Sequence, residues 1–104
     1  MKKFAIAALL TGTSLLVALP SHAAVSAPER FAKVCSACHG NPAMGTALGA
    51  PQKGDKAAWA PRVKQGEATL LSHIHNGYKS MPAKGNCPDC TDADYKALIK
   101  YMSN

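Results

Sequence analysis

Residues 31–40 read FAKVCSACHG, and the spacing inside them decides the fold. Phe31, Val34, Cys35 and Cys38 stand at i, i+3, i+4 and i+7, the apolar face of an amphipathic helix. Pro28 and Glu29 suit its first turn, while Gly40 and Pro42 end it. The two cysteines therefore lie one turn apart on one side, and His39 follows the second at once. Cys-x-x-Cys-His is the attachment signature of c-type haem. At this spacing each sulfur reaches one vinyl group of a single porphyrin, and the histidine is carried under the metal centre, where imidazole ligates iron. Cys35, Cys38 and His39 are thus expected to bind one covalent haem c, with His39 as an iron ligand. A zinc ribbon would recruit Cys87 and Cys90, but these lie much farther off than the roughly 15–20 residues such a site uses. A thioredoxin-like dithiol needs a βαβ context, which is missing. A plain Cys35–Cys38 disulfide leaves His39 without a role.

The rest of the chain reads as helix and loop. Asp55 caps a segment running to about Gln65 that Pro61 should bend or split. Glu67 to Asn76 forms another helix, closed by Gly77 as a left-handed terminator. Thr91 and Asp94 make a capping-box-like start for the last helix, where Tyr95, Leu98, Ile99 and Met102 repeat the helical template. Residues 41–54 and 78–90 read as loops, and loops that long in a small domain are usually functional. No segment alternates with period two. The expected fold is all-α: four or so short helices wrapped around one covalently bound haem.

Lys2 and Lys3 precede a mostly apolar run from Phe4 to Leu19, and Ser21-His22-Ala23 suits signal peptidase between Ala23 and Ala24. Thr11 to Ser14 interrupt that run, whereas an uncleaved anchor wants about 20 largely apolar residues. Cys35 is too far from any cleavage point for a lipoprotein. Residues 1–23 are therefore expected to be a cleaved signal peptide. Residues 24–104 would then be a single domain in the periplasm, with no stable membrane insertion. The full chain carries twelve Lys and Arg against six Asp and Glu, a net +6. Without Lys2 and Lys3, ten basic residues face six acidic ones, a net +4. There is no basic run, so nucleic acid is excluded and acidic protein partners fit better. A domain this short usually needs a staple, a metal or a cofactor.

Haem iron has a second axial position, and a thioether there favours the reduced metal. Met44 lies too close to His39 in sequence to reach the opposite face. Met102 belongs to the apolar stripe of the last helix. Met81 sits in a loop before Pro82, with ample chain to travel around a porphyrin, and is the expected ligand. His73 and His75 fall on the flanks of their helix and read as solvated.

With CSACH, GAP and MPAKGNCPDC in place, residues 28–102 resemble the class I c-type cytochromes of bacteria, and among them the cytochrome c5 family. The resemblance implies a disulfide between Cys87 and Cys90, which would steady the Met81 loop. It implies that the Pro51 carbonyl accepts the Nδ1–H of His39, and that Trp59 and Arg62 lie near the haem propionates. Phe31 would cross the Tyr95 and Leu98 face of the last helix. The loop HGNPAMGTALGAP departs from the family in its length and in Met44. The expected function is one-electron transfer with His/Met ligation, without enzymatic turnover, to redox partners such as a terminal oxidase or reductase. Lys53, Lys56, Lys79 and Lys84 would form a positive collar toward them. The alternative is a small peroxidase-like haem enzyme in which Met81 is displaced from iron.

Overall fold

Ser26, Asn41, Asp55 and Thr91 each set a side-chain oxygen over the free N–H groups of a helix start, and helices of this computed structural model begin there. The structure describes residues 8–9, 11–17 and 25–104. The expected cleavage point between Ala23 and Ala24 lies outside the described residues.

Helix α1 (Ala27–Arg30), a π-helical turn (Phe31–Cys35) and α2 (Ser36–His39) follow one another without a break. The Glu29 N–H donates to Ser26 Oγ at 3.4 Å, and the Glu29 carboxylate accepts from the Ser26 hydroxyl at 2.8 Å and from its N–H at 3.2 Å. Those bonds, the hydroxyl's first, hold the Glu29 carboxyl below its ordinary value. The expected helix is present, but the π turn is an addition. The Ser36 N–H reaches back five residues to the Phe31 carbonyl. One extra residue rotates the remainder of the helix by about 100°. Phe31 can then pack on the last helix while Cys38 and His39 turn toward a cavity.

The expected loop over 41–54 contains a helix, α3 (Pro42–Leu48). Asn41 Oδ1 accepts from the N–H groups of Ala43 at 3.2 Å and Met44 at 3.3 Å. Pro42 occupies the first turn, where its fixed φ is already helical, and Gly49 closes the helix at φ 72°. Pro42 thus starts one helix as well as ending another. A Cβ at Gly45 would collide with the Gln52 amide, so glycine lets residues 50–52 fold tightly against α3.

Helix α4 (Lys56–Val63) is capped by Asp55, which accepts from the Ala58 N–H at 3.1 Å. Pro61 sits inside it without splitting it, and the helix stops two residues later. Helix α5 (Glu67–Asn76) ends as expected, but Gly77, at φ 82° and ψ 156°, turns the chain back instead of forming a left-handed terminator. The loop beyond it carries an antiparallel bridge between Tyr78 and Met81 and a 3₁₀ turn (Ala83–Asn86). Helix α6 (Asp92–Ser103) opens on the expected capping box between Thr91 and Asp94.

Phe31, Trp59, Ile74, Cys87, Tyr95, Leu98 and Met102 form the buried core, with no buried polar residue among those described. Burial of each large apolar side chain contributes about 1.5–3 kcal/mol. The first and last helical segments meet as expected. Phe31 and Tyr101 pack edge to face at 5.5 Å, and Arg30 reaches Asp94 at 3.6 Å and Asp89 at 3.1 Å. The architecture is all-α, with one isolated bridge and no sheet among the described residues. None of the described helices is long and apolar enough to cross a membrane.

Candidate functional site

The C-terminal end of α2 is laced to the chain that returns from α3. The Lys53 N–H donates to the His39 carbonyl at 2.8 Å, and the Gln52 amide donates to the Cys38 carbonyl at 2.8 Å. This lacing brings Pro51 beside the imidazole, with His39 Nδ1 2.7 Å from the Pro51 carbonyl oxygen. A carbonyl only accepts, so Nδ1 is the donor, and in the neutral ring Nε2 is the nitrogen that keeps a lone pair. Trp59 lies 5.9 Å from the His39 ring, tilted by 30°.

These residues wall a largely apolar cavity of about 490 Å³. Cys35, Cys38, His39, Pro51, Trp59, Arg62 and Met81 all line it, so the structure brings together every residue expected to bind the cofactor. Cys35 and Cys38 have no sulfur partner, and burial pushes the Cys35 thiol up. Met81 is half-buried, and its methyl group would lie 3.1 Å from a Cβ placed on Gly85, so glycine makes room for the thioether. Met44 is 44% exposed and stays out of the cavity wall, while Met102 is core and contributes to that wall.

Several expectations change in detail. The Trp59 indole N–H donates to the Gln52 carbonyl at 2.9 Å, so it braces the loop and is not free for a cofactor carboxylate. Arg62 donates from one nitrogen to the Ala58 carbonyl at 2.6 Å and keeps its other donors. His75 is exposed as expected and meets Asp92 at 2.6 Å. His73 is not solvated: it is half-buried, lines the cavity and stacks on Tyr78 at 3.9 Å. Its helix-flank position gave no sign of this, because Tyr78 folds over it only through the turn at Gly77. Lys79 and Lys84 stand at the cavity, but Lys53 lies over the Tyr101 ring at 4.5 Å, so the collar is partial.

Among the described residues the second cysteine pair does not join the first in one metal-binding group, although Cys87 lines the same cavity. Cys87 and Cys90 face each other with Cα atoms 5.4 Å apart, within disulfide range. Among the described residues, the one grouping of three metal-capable side chains is Cys87, Asp89 and Cys90. No four-cysteine zinc site is assembled there. The cavity, by contrast, suits a haem. It offers two unpaired thiols, an imidazole with its Nε2 lone pair available, a thioether, apolar walls from Val34, Leu70, Ile74 and Leu98, and a guanidinium for carboxylate.

A family model described as "Cytochrome C oxidase, cbb3-type, subunit III" matches residues 22–102. Cytochrome c-555 of Chlorobaculum tepidum is 42% identical over 108 residues, spanning 98% of this chain and 95% of its own. Cytochrome c5 of Azotobacter vinelandii is 44% identical over 80 residues, covering 75% of this chain and 92% of its own. A chain from a crystal structure of an "electron transfer complex of nitrite reductase with cytochrome c" superposes with a TM-score of 0.61 at 31% identity. That match covers 74% of this chain and 89% of the other. Helical architecture, pocket chemistry and relatives agree: the chain belongs to the class I c-type cytochromes, in the cytochrome c5 family, haem-based electron carriers with a covalently bound haem c.

Proposed function

We propose that this chain is a periplasmic one-electron carrier in which Cys35 and Cys38 form the thioethers to haem and His39 and Met81 take the two axial positions of its iron. The observation that carries the reading is the 2.7 Å contact between His39 Nδ1 and the Pro51 carbonyl. It fixes the tautomer, aims the ring and makes Nε2 a better donor, in the same cavity that Met81 lines. When bound, the haem supplies one-electron chemistry between ferric and ferrous iron.

The residues of the chain do the rest. The Met81 thioether favours the lower oxidation state, and the apolar walls disfavour the added charge of the ferric state. The free donors of Arg62 bind a haem carboxylate. The Cys87–Cys90 pair is a disulfide that ties the end of the Met81 loop to the start of α6, supported by the facing sulfurs. Lys79 and Lys84 give the cavity mouth a positive rim that suits an acidic redox partner. A reductase is the partner class in best accord with the matched electron-transfer complex. The net +4 of residues 24–104 falls to about +2 with two ionised haem carboxylates, so ionic strength should modulate that association only modestly.

The test is optical. The exported ferric protein should show the weak far-red band of a thioether on haem iron, and Met81→Ala should abolish it. Absence of the band in the unaltered protein, with rapid cyanide binding, would favour the peroxidase-like enzyme. Periplasmic fractionation, with Ala24 as the mature N-terminus, checks the export reading.

A further inference from the structure

We propose that His73 is a positioning residue for Met81, acting by a ring stack on Tyr78 that clamps the turn bearing the thioether. The inference rests on Met81 being the iron ligand and adds what holds it there.

The Met81 turn is bonded twice to one residue. Tyr78 N–H donates to the Met81 carbonyl at 3.0 Å, and Met81 N–H donates to the Tyr78 carbonyl at 2.9 Å. Whatever fixes Tyr78 therefore fixes the Met81 backbone. The turn has little to hold it by itself. Lys79, inside it, takes φ 52°, a region that non-glycine residues rarely visit, and an isolated pair of short strands is marginal in water. Core burial does not hold Tyr78 either, since it is 45% exposed.

Its ring lies instead against His73, with centroids 3.9 Å apart and planes 14° from parallel. The Lys79 ammonium adds a contact 5.4 Å from the ring centroid. His73 is well placed to serve as the anchor. It belongs to α5, and its neighbour Ile74 is part of the buried core. A rigid line thus runs from the core through Ile74 and His73 to Tyr78 and Met81. His75, two residues on, meets Asp92 and takes no part in this line. Both stacked residues line the same cavity as Met81.

The test is imidazole binding to the ferric holoprotein, since imidazole reaches the iron only when the thioether has left. An aromatic stack of this kind corresponds to about three- to tenfold in the closed-to-open ratio of the turn. H73A should raise apparent imidazole affinity by that factor. H73F keeps a stacking ring and should stay within about twofold of the unaltered protein. S72A, at an exposed position of the same helix, should change nothing. Y78A should match H73A, and the double variant should be no weaker a clamp than either single one, which also covers an H73A that does not accumulate. The proposal is overturned if H73A binds imidazole like the unaltered protein, even if it melts lower. H73F as loose as H73A, or additive H73A and Y78A effects, would overturn it equally. Met81→Ala keeps the two readings apart. If that variant binds imidazole no more tightly than the unaltered protein, the ligand assignment has failed; if it binds tightly while H73A does not, only the clamp has.

Discussion

Replacing Tyr95 by phenylalanine isolates a single hydroxyl that holds the far end of the Met81 loop. Tyr95 is 3% exposed, and its O–H is shared between the Lys84 carbonyl at 3.0 Å and the Cys87 carbonyl at 2.9 Å. Between those carbonyls the chain is under strain: Lys84, Gly85 and Asn86 take φ 62°, 57° and 58°, and two of the three are not glycine. Phenylalanine keeps the ring in the core and removes the shared hydroxyl, while the Lys84 and Cys87 carbonyls keep the backbone N–H groups of Cys87 and Cys90. The cost should be about 0.5–1.5 kcal/mol, the net worth of a lost hydrogen bond. At about 4–8 °C per kcal/mol for a domain of this size, Tm should fall by roughly 4–8 °C for a loss near 1 kcal/mol. Y101F is the control. Its ring packs on Phe31, its hydroxyl has no partner among the described residues, and its Tm should move by no more than a few degrees. Titration offers a second check. Burial first, then Asp89, Asp92 and Asp94, pushes the Tyr95 hydroxyl above its ordinary 10.0. The folded state thus favours the neutral phenol. That contribution is complete below pH 10 and is lost as pH rises past the folded value, so Y95F should flatten the alkaline decline in stability. Thermal melts of the holoproteins at pH 7 and above pH 10 decide it. A Y95F Tm within about 2 °C of the parent, or an equal loss in Y101F, would refute the reasoning.

Gly85→Ala places a Cβ 3.1 Å from the Met81 methyl group at φ 57°, so it should weaken the far-red band and cost about 1 kcal/mol in a urea titration. Asn41→Ala removes the cap of α3 and should cost about 0.5–2 kcal/mol, read as a lower thermal midpoint with the spectrum of the ferric protein unchanged. Hydrogen bonds from Ser26 and Thr91 hold the Glu29 and Asp94 carboxyls below their ordinary 4.5 and 3.8. They favour the fold above those values and lose that effect as pH falls through the folded ones. The Ser26 hydroxyl is the larger cause at Glu29, so Ser26→Ala should flatten the acid limb of a stability–pH curve, whereas the Thr91 backbone N–H is the larger cause at Asp94, so Thr91→Ala should flatten it less. The double variant Cys35→Ala/Cys38→Ala, lacking covalent haem, should show little helical circular dichroism. Without haem the walls from Val34, Leu70, Ile74 and Leu98 lose the group they would pack on, and a domain this small is marginal without such a cofactor; a cooperative melt of that variant would refute this.

What the sequence makes legible is whatever a residue does within its own helix or through its own chemistry. The i, i+3, i+4, i+7 pattern of Phe31, Val34, Cys35 and Cys38 marks the helix, although the π turn inside it rotates Phe31 away from the cysteines, and the Tyr95, Leu98 and Met102 stripe is legible from the same 3.6-residue period. Helix α3 is not, because it is short and mostly exposed, so no apolar period marks it; its only signals are a capping Asn41 and a Pro42 that reads equally well as a stop. His73 is misplaced for a different reason. A helix-flank position tells where a side chain starts, whereas what covers it depends on the turn beyond the helix end. That turn is made by backbone conformation, and the sequence displays it unevenly. Gly77 and Gly85 advertise positive φ, but Lys79 and Lys84 adopt it too, at 52° and 62°, while appearing in the sequence only as charges at the cavity rim. The loop that carries Met81 is therefore bent in part by residues whose side chains suggest a docking role and whose backbones perform a structural one. A charge reversal at either position that leaves the backbone intact should alter partner association alone. Substitution by a β-branched residue, which resists positive φ, should disturb the thioether as well.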